Sequence, residues 1–270
     1  MAKKLAVLFV VLWVLSALLA PWVAPYRYAQ QDLSDRLAGS SPAHWLGTDD
    51  LGRDVLTRVL YGGRLSLIIV ASALLLALTL GTGVGVLAGY LEGLTDHLVG
   101  RVIDVLMALP GILLAITILA YVGRGFVPLV FALSATAWVG YARLARSVTL
   151  SVKQREFVTA GTAAGGRTSH ILRRHILPNT VSVLLVQATA GAAGVMLSEA
   201  GLSFLGLGVQ PPNPSWGEML ATGCDYLLEA PHLALIPGAL LFLTVWALNT
   251  LGEELSRAIS PKRRLLATGL

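Results

Sequence analysis

The stretch 155-REFVTAGTAAGGRTSHILRRHILPN-179 is polar, basic and rich in alanine and glycine, set between two long apolar runs. Good helix formers extend from Val152 to about Ala164, with Phe157, Val158 and Gly161 on one side. Gly165 and Gly166 break that run and permit a sharp turn. A second short helix, Thr168 to Leu177, gathers Ile171, Leu172 and Ile176 on one face and leaves Arg167, Arg173 and Arg174 on others. Pro178 stops it and opens the next apolar helix, because proline is tolerated in a first helical turn. The segment reads as a helix–turn–helix knob, small at its tip and basic at its flanks, shaped to enter a groove on a partner.

Around this knob the chain is built for a bilayer. Of its 270 residues, 55% are hydrophobic and only 13% charged, with a mean hydropathy of +0.72, whereas soluble domains carry about 25% charged residues. A hydrocarbon core about 30 Å thick takes roughly 20 apolar residues per helical span. Six segments qualify: 5–24, 65–90, 103–122, 126–148, 180–206 and 233–252. The first follows Lys3 and Lys4 and reads as a retained anchor, because its apolar run is long and LLAPWVAP is a poor cleavage site. Six spans put both termini on one side. If that side is the cytoplasm, the outer segments hold only Arg27, Arg36, Arg53, Arg58, Arg64 and Arg124 of the twenty Lys and Arg, as the positive-inside rule requires. The net charge of +5 therefore reflects topology, and no nucleic-acid partner is implied.

Two connections are too long to be mere links. The outer one, 25–63, contains HWLGTDDLGRDVLTRVLYGGR, in which Thr48 and Asp49 can cap an amphipathic helix from about Asp50 to Leu60, lying at the outer surface. The other is the loop 149–179. Within the second span, Gly81, Gly85 and Gly89 recur every four residues, a spacing that lets helix backbones approach closely; with no preceding strand, it is not a dinucleotide loop. Pro110 should kink the third span. Polar groups inside spans are costly. Asp104 lies near an interface and can pair with a basic neighbour, while Glu199 and Gln187 of the fifth span either line a translocation path or tie helices together; Asn249 sits in the sixth.

Catalytic patterns are missing. His44, His97, His170, His175 and His232 are scattered with no H-x-x-x-H pair, the single Cys224 excludes a Cys-rich metal site, and no G-x-S-x-G elbow occurs. No cofactor is called for. No G-x-x-x-x-G-K-[ST] is present either, so the chain does not bind ATP through a P-loop. Its membrane charges are too sparse for a self-driven carrier. The organised polar element on one side suggests that work arrives from a separate protein.

The residues resemble a known family, the inner-membrane permeases of binding-protein-dependent ATP-binding-cassette importers. That family's signature, E-A-A, three residues, Gly, nine residues, I-x-L-P, aligns with Thr159-Ala160-Gly161, Gly165, His175, Leu177 and Pro178; Thr159, Gly161 and His175 depart from the consensus. Glu156 and RRHILPN are similar to the dipeptide, oligopeptide and nickel branch, as are HWLGTDDLGRDVLTRVLYGGRLSL, WVGYARLARSVTLSVKQREFV and SEAGLSFLGLGVQPPNPSWGEML. The resemblance implies an all-α integral membrane fold of six transmembrane helices. An N-terminal peripheral helix (1–24) and an extracytoplasmic segment (25–63) would precede a five-helix type-1 core (64–253) and a cytoplasmic tail (254–270). It further implies a non-enzymatic subunit of the inner membrane with both termini cytoplasmic. Its partners would be a paralogous permease, one or two ATP-binding subunits, a solute-binding protein and membrane lipid. ATPase coupling would fall to Glu156, Thr159, Ala160, Gly161, Gly165, His175, Leu177 and Pro178. Among substrates, HILPN and SEAGLSFLGLGVQPPNPSWG resemble the peptide type, while KQREFV resembles the nickel type.

Overall fold

In the computed structural model, residues 2–259 are described. The last part of the proposed 254–270 tail, with Lys262, Arg263 and Arg264, lies outside them. Helix α1 (Ala2–Val23) leads through a long connection to α2 (Val55–Leu91), which at 37 residues is about 55 Å long, more than one bilayer core. Then follow α3 (Gly93–Ala108) and α4 (Gly111–Val122), α5 (Phe126–Lys153), α6 (Glu156–Ala163), α7 (Thr168–Ile171), α8 (Leu177–Phe204), α9 (Trp216–Asp225) and α10 (His232–Ile259). Among the described residues, five helices are long and apolar enough to span a membrane, and the pair α3 and α4 completes a sixth span if counted as one.

The bundle centres on α2 against α5. A Cβ added at Gly81 would meet the Trp138 carbonyl and Tyr141 Cβ at 2.7 Å, one at Gly85 would meet Ala145 Cβ at 2.7 Å, and one at Gly89 would meet the Arg146 carbonyl at 2.8 Å. Gly83, on another face, would meet nothing within 4 Å. The four-residue glycine spacing thus marks a helix seam, where backbone proximity replaces the hydrophobic drive that lipid removes. At one end, Lys3 lies 3.7 Å from Glu254, so α1 begins where α10 finishes. At the same end, Lys153 pairs with Glu92 at 2.9 Å and Arg146 Nη2 donates to Asp96 at 2.6 Å. The opposite end is knitted by Arg58, only 3% exposed, which pairs with Glu218 at 2.9 Å and Asp49 at 3.3 Å. Burial pushes the Glu218 carboxyl above the usual carboxylate range, against the pull of Arg58.

Four expectations about the first five helices and the start of α6 need correction. No separate surface helix runs from 50 to 60. Asp49 instead accepts the amides of Leu51 and Arg53 in a turn, Asp54 accepts the Thr57 amide at 2.8 Å as the cap, and the helix runs straight into the second span. Pro110 does more than kink its span: α3 and α4 meet at 91°, with Leu109 extended (ψ 135°) and Pro110 preceding α4. The residue before a proline is driven out of the helical region, so the break falls there. Asp104 is exposed and makes no ion pair within 4 Å among the described residues; Asp96 takes that role with Arg146. Lastly, the helix drawn from Val152 to Ala164 is two: α5 ends at Lys153, and Arg155 is extended (φ −76°, ψ 144°) before α6 begins at Glu156, whose charge favours a helix start.

Candidate functional site

The membrane-embedded part of the molecule holds a cavity of about 720 Å³ between the α3–α4 break, α5 and α8. On α5 its wall is the stripe Thr136, Gly140, Arg143 and Ser147; on α8 it is Gln187, Gly191, Gly194 and Ser198. Both stripes follow helical spacing of three and four residues. Gly140, Arg143, Ser147, Gln187 and Gly194 are exposed, so the cavity opens at the surface of the chain rather than lying sealed inside it. A Cβ at Gly191 would collide with the Tyr141 hydroxyl, so the glycine gives room for that phenol to reach the wall. Among the described residues, Arg143 is the one charged side chain lining this space.

The structure separates the two polar residues singled out in the fifth span. Gln187 lines the cavity. Glu199, with no exposure, points away from it: its carboxylate accepts Ser203 Oγ at 2.9 Å and Ser66 Oγ at 3.2 Å, tying α8 to α2. Glu199 thus sits between α8 and α2, off the cavity wall. The cavity residues of α5 were legible only as a pattern, since small and polar residues at i, i+4, i+7 and i+11 look like ordinary packing until the fold leaves that side uncovered.

The knob lies beyond the bundle at the end that carries Lys3 and Glu254. Glu156 opens α6, and Thr159, Ala160 and Gly165 are exposed. Helix α6 closes with the Gly166 amide on the Gly161 carbonyl and the Gly165 amide on the Thr162 carbonyl, both 3.0 Å, while Gly165 takes φ +78°. That pairing is a glycine C-cap, and the turn falls where the sequence placed it. Gly161 packs on Ile171, whose Cδ1 would stand 3.0 Å from an added Cβ, with His175 behind it; His175 also stacks against Phe157 at 5.7 Å. The departures Gly161 and His175 thus meet each other.

Pro178 does not stop a helix. From α7 the backbone continues through a π-helical turn, Leu172–Ile176, directly into α8, so the knob and the fifth span form one rod from Thr168 to Phe204. A proline lacks the amide that a regular helix would use, and a wider turn accommodates the missing bond. Asn179 Nδ2 donates to the His175 carbonyl at 2.7 Å and Thr180 Oγ1 to the Ile176 carbonyl at 3.0 Å, satisfying oxygens beside the proline. Leu177 is half-buried at this junction and Ile176 fully so.

Comparison with known proteins agrees with this architecture. Residues 81–265 match the family described as binding-protein-dependent transport system inner membrane component, and residues 4–41 match the N-terminal transmembrane domain of oligopeptide transport permease C. The chain is 39% identical over 265 residues to the dipeptide transport system permease protein DppC of Alkalihalophilus pseudofirmus, covering 97% of this chain and 87% of that one. It is 44% identical over 258 residues to the glutathione transport system permease protein GsiD of Escherichia coli O6:K15:H31, covering 95% and 85%. The di/tripeptide permease DppC of Pseudomonas aeruginosa is 40% identical over 261 residues, covering 94% and 86%. An all-helical membrane bundle, an open-sided cavity and a family match across most of the chain lead to one conclusion: this protein belongs to the inner membrane components of binding-protein-dependent transport systems, multi-pass permeases that work with ATPase and solute-binding partners.

Proposed function

We propose that this chain forms half of a translocation path for di- or oligopeptides, with a related permease closing the open side of the cavity. The observation that carries the proposal is the cavity's position: its polar and small-residue wall lies on the exposed side of α5 and α8, the helices that lead into the knob. The named relatives serve dipeptides, di/tripeptides and glutathione, which supports a peptide substrate; no nickel system stands among them.

Coupling follows from mechanics. The knob, with Glu156, Thr159, Ala160, Gly161 and Gly165 at its face, would enter a groove on an ATP-binding subunit. One or two such subunits would serve the pair of permeases. Because α7, the π turn and α8 are one rod, movement of the knob turns the fifth span, which carries Gln187 and the cavity wall. Leu177 and Pro178 set the angle of that rod, and His175 fixes α6 to it. The positive-inside distribution supports a cytoplasmic knob and cytoplasmic termini. The ion-paired end with Arg58 and Glu218 would then face the solute-binding protein.

The test is uptake by proteoliposomes holding the complete set of two permeases, ATPases and binding protein. Peptide accumulation that needs ATP and every component supports the proposal. Accumulation without ATPase subunits, or of nickel ion but not peptide, refutes it.

A further inference from the structure

We infer that Arg143 receives the free C-terminal carboxylate of a peptide as it passes the cavity wall between α5 and the α3–α4 break; this rests on the peptide reading above. Arg143 is the only charged residue on the cavity wall among the described residues. The residue is exposed, and its one polar contact among the described residues is donation to the Met107 sulfur at 3.4 Å, a weak acceptor. Asp96 and Asp104 line the neighbouring cleft with it, yet Asp96 is bound to Arg146 and Asp104 stands beyond ion-pairing distance.

An arginine without a carboxylate partner inside a spanning helix is costly to keep. A guanidinium offers a planar fork that matches a carboxylate with two parallel hydrogen bonds. Around it the wall is neutral: Ser147 lies one turn on, and Gln187 belongs to the facing helix. A zwitterionic peptide crossing this wall would find one site that answers its negative end, with hydroxyl and amide groups for the backbone. An arginine placed only to anchor the helix among lipid headgroups would have no need to face the cavity.

The complete importer in proteoliposomes decides it, given a saturating tripeptide with either a free carboxylate or a C-terminal amide. Capture by the binding protein is common to all permease variants, so the ratio of free-acid to amide uptake isolates the permease. Arg143→Gln is expected to lower that ratio about tenfold, the scale of one lost charge-assisted hydrogen bond, and Arg143→Lys to restore most of it. Size-exclusion chromatography of each variant complex confirms assembly. An unchanged ratio, or equal loss for both peptides, overturns the assignment while leaving the peptide reading intact. A wild-type complex that takes up neither peptide overturns the peptide reading and the assignment with it.

Discussion

Replacing Gly85 by alanine tests the seam on which the bundle is built. The new Cβ would stand 2.7 Å from Ala145 Cβ, whereas carbon atoms rest at about 3.5–4.0 Å. Since the Ala142 carbonyl also blocks it, no rotamer relieves the contact and the helices must part by roughly 1 Å. Overpacking of this kind costs about 1–3 kcal/mol, partly offset by the gain of about 1 kcal/mol when alanine replaces glycine within a helix. The internal control is Gly83→Ala, two residues away, where nothing lies within 4 Å and only the gain applies. Heating the detergent-purified complex and measuring what survives as a monodisperse species should rank the proteins Gly83→Ala, wild type, Gly85→Ala, in falling stability. A Gly85→Ala complex as stable as Gly83→Ala would refute the close seam between α2 and α5.

Gly165→Asp has room, because no atom lies within 4 Å of the added Cβ, but it must adopt φ +78°, at a cost of about 1–2 kcal/mol. The complex should still insert, while its ATP-driven uptake falls at least about tenfold through charge at the docking face; normal uptake would count against knob coupling. Glu199→Ala strips the partner from two buried hydroxyls and should lose about 1–3 kcal/mol, seen as less folded complex at unchanged uptake per molecule. Gln187→Ala should do the reverse; the opposite pattern in the Glu199 variant would return Glu199 to the path, and in the Gln187 variant would take Gln187 off it. Cys224, the single cysteine and exposed, should react with a membrane-impermeant maleimide in spheroplasts, whereas labelling only after permeabilisation would invert the topology.

The sequence carried the elements far more than their connections. Apolar length marked five of the six expected spans as single helices, because a bilayer leaves little choice about what can cross it, whereas the third breaks at Pro110. Gly165 and Gly166 marked the knob's turn, since few other residues take φ near +78° readily. Boundaries set by competition were harder to read. Asp54 and Asp49 are both good caps, and only the folded loop, with His44 2.9 Å from Asp54, shows which one starts the helix. Likewise Pro178 is legible as a helix opener, but only the folded chain shows the π turn that carries the backbone into it, with Asn179 and Thr180 turning back onto nearby carbonyls.

What the sequence determined by itself was therefore local: five long apolar helices and a sixth apolar segment, a glycine seam of the right spacing, a two-helix knob and a bias of charge between its ends. Each follows from periodicity, backbone freedom or solvation, and needs no distant contact. The tertiary structure alone decided which polar residues face an open cavity and which are buried between helices. Glu199 and Gln187 lie on one helix and are alike in sequence terms. Ser66, 133 positions away, claims Glu199, whereas Gln187 faces the cavity opposite α5, because the faces of α8 are assigned only when α2 and α5 close against it.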